Sequence, residues 1–188
     1  MAMDDQIGKR DHEEDYFRKQ DRELIERMRK AAADQAARGP LGAQTGIQNP
    51  QLLRDIAALG FSADTVSLLP LVPILQVAWA DAGISAEERK LILDFARLRG
   101  VTEGSPADRQ LSEWLAHRPP ADVFSRAGRL VAAMLAAGSG TTHDLTADDL
   151  LKYSESIAAA SGGILGLGKV SAGERAAIEQ IQKALKSR

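Results

Sequence analysis

Between Ser67 and Gly100 the chain reads SLLPLVPILQVAWADAGISAEERKLILDFARLRG, and this stretch narrows the available folds more than any other. From Leu68 to Ala80 only Gln76 interrupts an apolar run. A helix that is apolar on every side belongs at the middle of a bundle, enclosed by other helices. Pro70 and Pro73 each lack an amide donor, so the helix should kink or break into two pieces. Asp81-Ala82-Gly83 signals a turn. Ser85 and Glu88 then have the spacing of a capping box, in which the Ser hydroxyl takes the N3 amide and the Glu carboxylate takes the cap amide. The second helix places Leu91, Ile92, Phe95 and Leu98 on one stripe and stops at Gly100. The expected unit is a helical hairpin with a marked corner.

The rest of the chain extends this pattern. No segment alternates with period two for long enough to suggest a strand, and scarce aromatics with plentiful Ala favour closely packed helices. Asn49-Pro50 opens a short helix that ends at Gly60, and Ser105-Pro106 opens another that carries Leu111, Trp114 and Leu115. Residues 121–137 form a further helix, Thr146 caps one with Leu150, Leu151 and Ile157, and the last begins at Ser171. Ile84-Ser85-Ala86-Glu87-Glu88-Arg89-Lys90-Leu91-Ile92 is echoed by Val170-Ser171-Ala172-Gly173-Glu174-Arg175-Ala176-Ala177-Ile178. Each copy follows an alanine-rich helix and a turn, so a duplicated hairpin with pseudo-twofold packing is expected. The fold class is all-α: a bundle of about seven helices over residues 49–188, a flexible linker at 39–48, and a separate charged helix over 1–38.

Composition excludes several functions. A net charge of -2 over 188 residues provides no field that would draw the chain to nucleic acid. The absence of Cys removes disulfides, thiolate metal sites and thiol catalysis. The charged N-terminus lacks the apolar core of a signal peptide, and the longest apolar run is too short for a bilayer. A cytoplasmic protein without membrane insertion is expected.

The N-terminal helix is charged on most faces, with Phe17, Leu24, Ile25 and Met28 forming one narrow apolar stripe. Glu13, Glu14, Arg18 and Arg22 stand at spacings that allow i,i+4 pairs, each contributing roughly 0.2–0.5 kcal/mol. So thin a stripe does not anchor a helix to a core. Such a helix is held by many weak pairs, by a coiled-coil mate in a homodimer, or by a protein partner. A solvated charged helix is the common alternative. Glu13-Glu14-Asp15-Tyr16-Phe17-Arg18, followed after three residues by Arg22-Glu23-Leu24-Ile25-Glu26-Arg27-Met28-Arg29-Lys30, resembles the inhibitory helix of the mitochondrial F-type ATP synthase inhibitor protein. Gly8-Lys9-Arg10 is similar to the G-K-R that precedes that core, two residues closer here. The resemblance implies that Glu14, Tyr16, Phe17 and Arg18 contact a subunit cleft of the ATPase, with Glu13, Arg22, Leu24, Ile25 and Met28 completing the docking face. The long downstream coiled coil and the His-rich pH switch of that family are missing. Only His12 lies nearby, which puts pH control of that kind in doubt.

Ala78-Trp79-Ala80-Asp81-Ala82-Gly83-Ile84-Ser85-Ala86-Glu87-Glu88 resembles the recurring corner of the TerB-like tellurite-resistance family, and the resemblance extends over about residues 50–187. It implies an all-helical stress-response module in which Asp81, Glu87 and Glu88 hold a divalent cation, a weak Mg²⁺ or Ca²⁺ site. Chemistry tempers this. A Ca²⁺ ion takes six to eight oxygens, and Val77 and Trp79 stand where an EF-hand loop would supply two of its first ligands. Glu88 and Glu174 therefore read first as capping-box acids and Asp81 as a turn cap, with the cation site as the second reading. No other cofactor is expected. Gly163 through Gly168-Lys169 matches most of a phosphate-binding loop, but Val170 replaces the Mg²⁺-binding hydroxyl and a helix precedes it, so nucleotide binding is rejected. Ile164 and Leu167 in that loop either pack on the bundle or form an interaction tip. His12, His117 and His143 lie far apart; His117 suits a helix C-terminus, and His143-Asp144 has no sensible nucleophile beside it. The expectation is a non-enzymatic regulatory protein that docks its N-terminal helix on a partner, with a metal-binding stress module as the alternative.

Overall fold

A computed structural model describes residues 4–138, 145–160 and 170–186, with side chains from residue 18 onward other than those of 34 and 37. Among these residues the secondary structure is helical, without a strand: α1 (Asp4–Thr45), α2 (Pro50–Ala58), α3 (Val72–Ala78), α4 (Ala86–Leu98), α5 (Pro106–Ala116), α6 (Ala121–Ala137), α7 (Ala147–Ala160) and α8 (Ala172–Lys186). A 3₁₀ segment, Val66–Leu71, leads directly into α3. The all-α expectation holds.

The apolar run divides at its prolines. Pro70 closes the tighter 3₁₀ segment, and Pro73 falls in the first turn of α3, where a missing amide removes no intrahelical bond. Every residue of α3 is buried except Gln76, which reaches Gln180 of α8 through a 3.0 Å hydrogen bond. Helices α4, α6, α7 and α8 all pack against α3, while α2 packs on α6 and α5 on the 3₁₀ segment. Gly128 lets α6 and α8 approach closely, because a Cβ there would stand 3.3 Å from the Cβ of Ala184.

The duplicated hairpin is present in the packing. Exchanging α3 with α7 and α4 with α8 turns the α3–α4 contact into α7–α8 and the α3–α8 contact into α4–α7, and all four are made. The caps fall where the sequence placed them. Asn49 accepts the amides of Gln51 and Leu52, Ser105 accepts that of Asp108, and Thr146 exchanges hydrogen bonds with Asp149. The start of α5 is clipped to the end of α4. Arg97 pairs with Asp108 at 2.7 Å and donates to the Val101 carbonyl, and the Gly104 amide donates to the other Asp108 oxygen. The Gly104 amide and then the Arg97 hydrogen bond hold the Asp108 carboxyl below its ordinary range.

The chain divides into two units between Gly39 and Pro40. Two expectations need correction. The 39–48 segment is not an irregular linker: α1 continues to Thr45, and Leu41, Thr45 and Ile47 are buried within the second unit. The Thr45 hydroxyl donates to the Leu41 carbonyl at 2.8 Å and receives the Ile47 amide, closing this end of the helix. Gly46 follows at φ 69, a left-handed position that favours glycine. Leu91 and Leu98 do not share the buried stripe of α4, which consists of Glu88, Ile92, Phe95 and Ala96. The i, i+4, i+7 and i+8 spacing from Glu88 defines that face, and Leu91 and Leu98 fall to one side of it. His143, Asp144, Ile164, Leu167 and the glycine loop lie outside the described residues. Among the described residues no helix is long and apolar enough to cross a membrane.

Because α3 is enclosed on all sides, Leu75→Ala removes contacts the bundle cannot replace. Urea unfolding should show a loss of about 2–5 kcal/mol through a lower midpoint at unchanged slope.

Candidate functional site

Two places carry the residues that the sequence singled out: the acidic corner at the start of α4, and the apolar stripe on α1. The corner is a double one. Ser85 and Glu88 form a complete capping box, the Ser85 amide donating to Glu88 Oε2 at 2.7 Å and the Glu88 amide to Ser85 Oγ at 3.2 Å. Ser171 and Glu174 repeat it at the start of α8, at 2.6 and 3.1 Å. The two boxes meet, for the Ser171 hydroxyl donates to Asp81 Oδ1 at 3.0 Å. That hydroxyl thus links the second corner to the first while still accepting the Glu174 amide.

The approach depends on a residue that breaks the internal repeat. Gly173 occupies the place that Glu87 has in the first copy. A Cβ at Gly173 would lie 3.0 Å from the Ala80 carbonyl oxygen and 3.4 Å from Asp81 Oδ1, so a side chain there would require the corner to give by a few tenths of an ångström. The close approach leaves two carboxylates almost without solvent, Glu88 at 2 % and Glu174 at 1 % exposure. Burial pushes the Glu88 carboxyl up. Its hydrogen bonds with Ser85 oppose the rise, and the nearby charges of Glu174 and Asp81 add to it.

This geometry does not suit the cation expected at Asp81, Glu87 and Glu88. Glu88 Oε2 is engaged by the Ser85 amide and Asp81 Oδ1 by the Ser171 hydroxyl, while Glu87 lies on the exposed side of α4. Among the described residues no three His, Cys, Asp or Glu side chains stand together as a metal-holding group. The capping role accounts for both buried acids, and Ser171 is the site residue whose partnership with Asp81 the sequence could have signalled through Gly173.

On α1 the picture is different. Glu13, Glu14, Tyr16 and Phe17 belong to the helix, but their side chains lie outside the described ones. Leu24, Ile25 and Met28 are brought together on one side and stand 54 %, 47 % and 63 % exposed. The helix around them is braced by its own charges: Arg22 Nε donates to the Arg18 carbonyl at 3.2 Å, and Arg27 pairs with Glu23 at 3.4 Å. Arg18, Arg22 and Arg29 follow one another at i, i+4 and i+11 along the edge beside Ile25. An apolar centre with a basic border is a surface suited to an acidic-rimmed groove.

No family model matches the chain, and neither a curated protein nor a solved structure matches it. The resemblances to the inhibitor helix and to the TerB-like corner therefore rest on their own residues.

The buried acids give a signed prediction. A carboxyl raised in the folded state costs stability as pH climbs from its unfolded value, about 4.3 for Glu, through the folded one, and that cost is fully present above it. Glu88→Gln keeps an acceptor for the Ser85 amide and removes the charge. Its stability relative to the native chain should rise with pH across that window, whereas Glu88→Ala should lose about 1–2 kcal/mol at acid pH through the broken cap. Thermal melts from pH 3 to 8 read both. Gly173→Ala should cost about 1–3 kcal/mol by overpacking.

Proposed function

We propose that this is a non-enzymatic regulatory protein whose N-terminal helix docks on a protein partner, with an F-type ATP synthase as the partner that the resemblance of residues 8–30 implies. One observation carries the reading: Leu24, Ile25 and Met28 lie side by side and exposed on the part of α1 that belongs to the first unit. A solvated helix has no need of three large apolar neighbours on one face. Burial of each in a partner's groove would contribute roughly 1.5–3 kcal/mol before the cost of association is met.

The mode of recognition is a helix laid in an apolar groove, with anchors at i, i+1 and i+4. By helical spacing Phe17 continues the stripe two turns before Leu24, while Tyr16 joins the contact only under the resemblance. The basic border beside Ile25 favours a groove with carboxylates on that side, which sets the orientation of docking and speeds encounter at low salt.

The test is inhibition of ATP hydrolysis by a purified F-type ATPase. The full chain should inhibit, while full-length Tyr16→Ala/Phe17→Ala and Leu24→Asp/Met28→Asp variants should inhibit at least tenfold more weakly with unchanged helical circular dichroism. A native chain that leaves hydrolysis untouched would remove the ATPase as partner. Equal inhibition by all three proteins would remove the helix as the docking element.

A further inference from the structure

A second apolar surface lies on the bundle itself. Between α4 and α7 runs a cleft of about 250 Å³ bordered by Leu91, Asp94, Phe95, Leu98, Tyr153 and Ile157. Phe95 and Tyr153 line it from the two helices and pack ring against ring, their centroids 4.0 Å apart. Around it the surface is apolar: Leu98 stands 74 % exposed, and Leu91 and Tyr153 are exposed beside it. Three large hydrophobic side chains gathered on one face mark an interaction surface rather than the scatter found on any protein.

Two charges stand unpaired here among the described residues. Asp94 projects from the cleft edge and Lys90 lies one helical turn before it. Both are exposed, and neither side chain makes a hydrogen bond or ion pair with a described residue, although i,i+4 spacing would allow the two to pair with each other. The face therefore carries a hollow, a protruding leucine at its rim, and a carboxylate and an ammonium, Asp94 and Lys90, that are unpaired among the described residues. A surface holding both halves of each complementary pair fits a copy of itself, which is the requirement for a twofold isologous contact.

We propose that the α4/α7 face is a homodimer surface, occupied by the same face of a second copy. Leu98 of each protomer enters the cleft of the other, Tyr153 and Leu91 close over it, and Asp94 of each protomer pairs with Lys90 of the other. The assignment does not depend on α1 or on the identity of any docking partner.

Sedimentation velocity on the full chain, from about 1 to 100 µM, tests this. The native protein should reach the dimer mass within that range. Leu98→Asp, which alters an exposed side chain and should leave the circular dichroism and melting temperature unchanged, should stay monomeric. Asp94→Lys and Lys90→Asp should each weaken dimerisation at least tenfold. An equimolar mixture of those two should recover it, because each charge then faces its opposite in both contacts. A native chain that remains monomeric at 100 µM overturns the proposal. So does a dimer that survives Leu98→Asp, or one that Leu24→Asp/Met28→Asp dissolves in its place.

Discussion

The bundle is built around the need to enclose α3. Seven residues long, this helix is too short to be stable on its own propensity, and it has no polar face to turn toward water. Its stability comes from being covered, and four helices cover it. The connection before it had to be equally compact. Val66–Leu71 uses a tighter helix that tolerates Pro70 and keeps Leu68, Leu69 and Leu71 fully buried. Two prolines in an apolar run thus convert what would be one long central rod into a bent core piece, around which a small bundle can close.

Covering α3 with two copies of one hairpin has an electrostatic consequence. Each copy brings a capping-box glutamate, and the pseudo-twofold relation turns the two helix starts toward each other. Helix N-termini carry partial positive charge and free amides, which is where buried carboxylates cost least. Glu88 and Glu174 each spend an oxygen on a cap amide, yet Glu88 is still pushed up by burial and by its acidic neighbours. The Ser171 hydroxyl offsets part of this by giving Asp81 a donor. The departure from symmetry at Gly173 is what makes that bond geometrically available. A perfectly repeated Glu at this place would have put its Cβ 3.0 Å from the Ala80 carbonyl, tighter than such contacts ordinarily are.

Local chemistry was legible in the sequence wherever one residue sets one backbone event. Asn49, Ser85, Ser105, Thr146 and Ser171 all act at helix starts, and the proline break and the duplicated hairpin follow from spacing alone. What could not be read were the decisions made by packing. Gly39, Pro40, Gly42 and Gly46 have the composition of a linker, but Leu41 and Ile47 find space in the core, and burial overrides weak helix propensity. Gly42 serves that packing, because a Cβ there would stand 3.3 Å from Leu53. Leu91 and Leu98 follow the opposite course. Their apolar character suggested core, while the face defined by Glu88, Ile92, Phe95 and Ala96 was already complete without them. The acidic corner was found, and the capping role of Glu88 with it, but spacing could not show that Asp81 takes its donor from Ser171, ninety residues on.

Among the described residues the large exposed hydrophobics are six: Leu24, Ile25 and Met28 on α1, and Leu91, Leu98 and Tyr153 beside the α4/α7 cleft. They fall into two patches of three rather than being scattered. Random surface apolarity carries no such grouping, and each grouped patch is an aggregation hazard unless something covers it. The two differ in kind. The α1 stripe is an apolar ridge with a basic edge, which under the proposed function a partner's groove covers. The α4/α7 face holds ridge and hollow together with one charge of each sign, and so is sufficient for itself. On the two proposals, assembly and docking use separate residues, so that a substitution at Leu98 and one at Met28 would act on different equilibria.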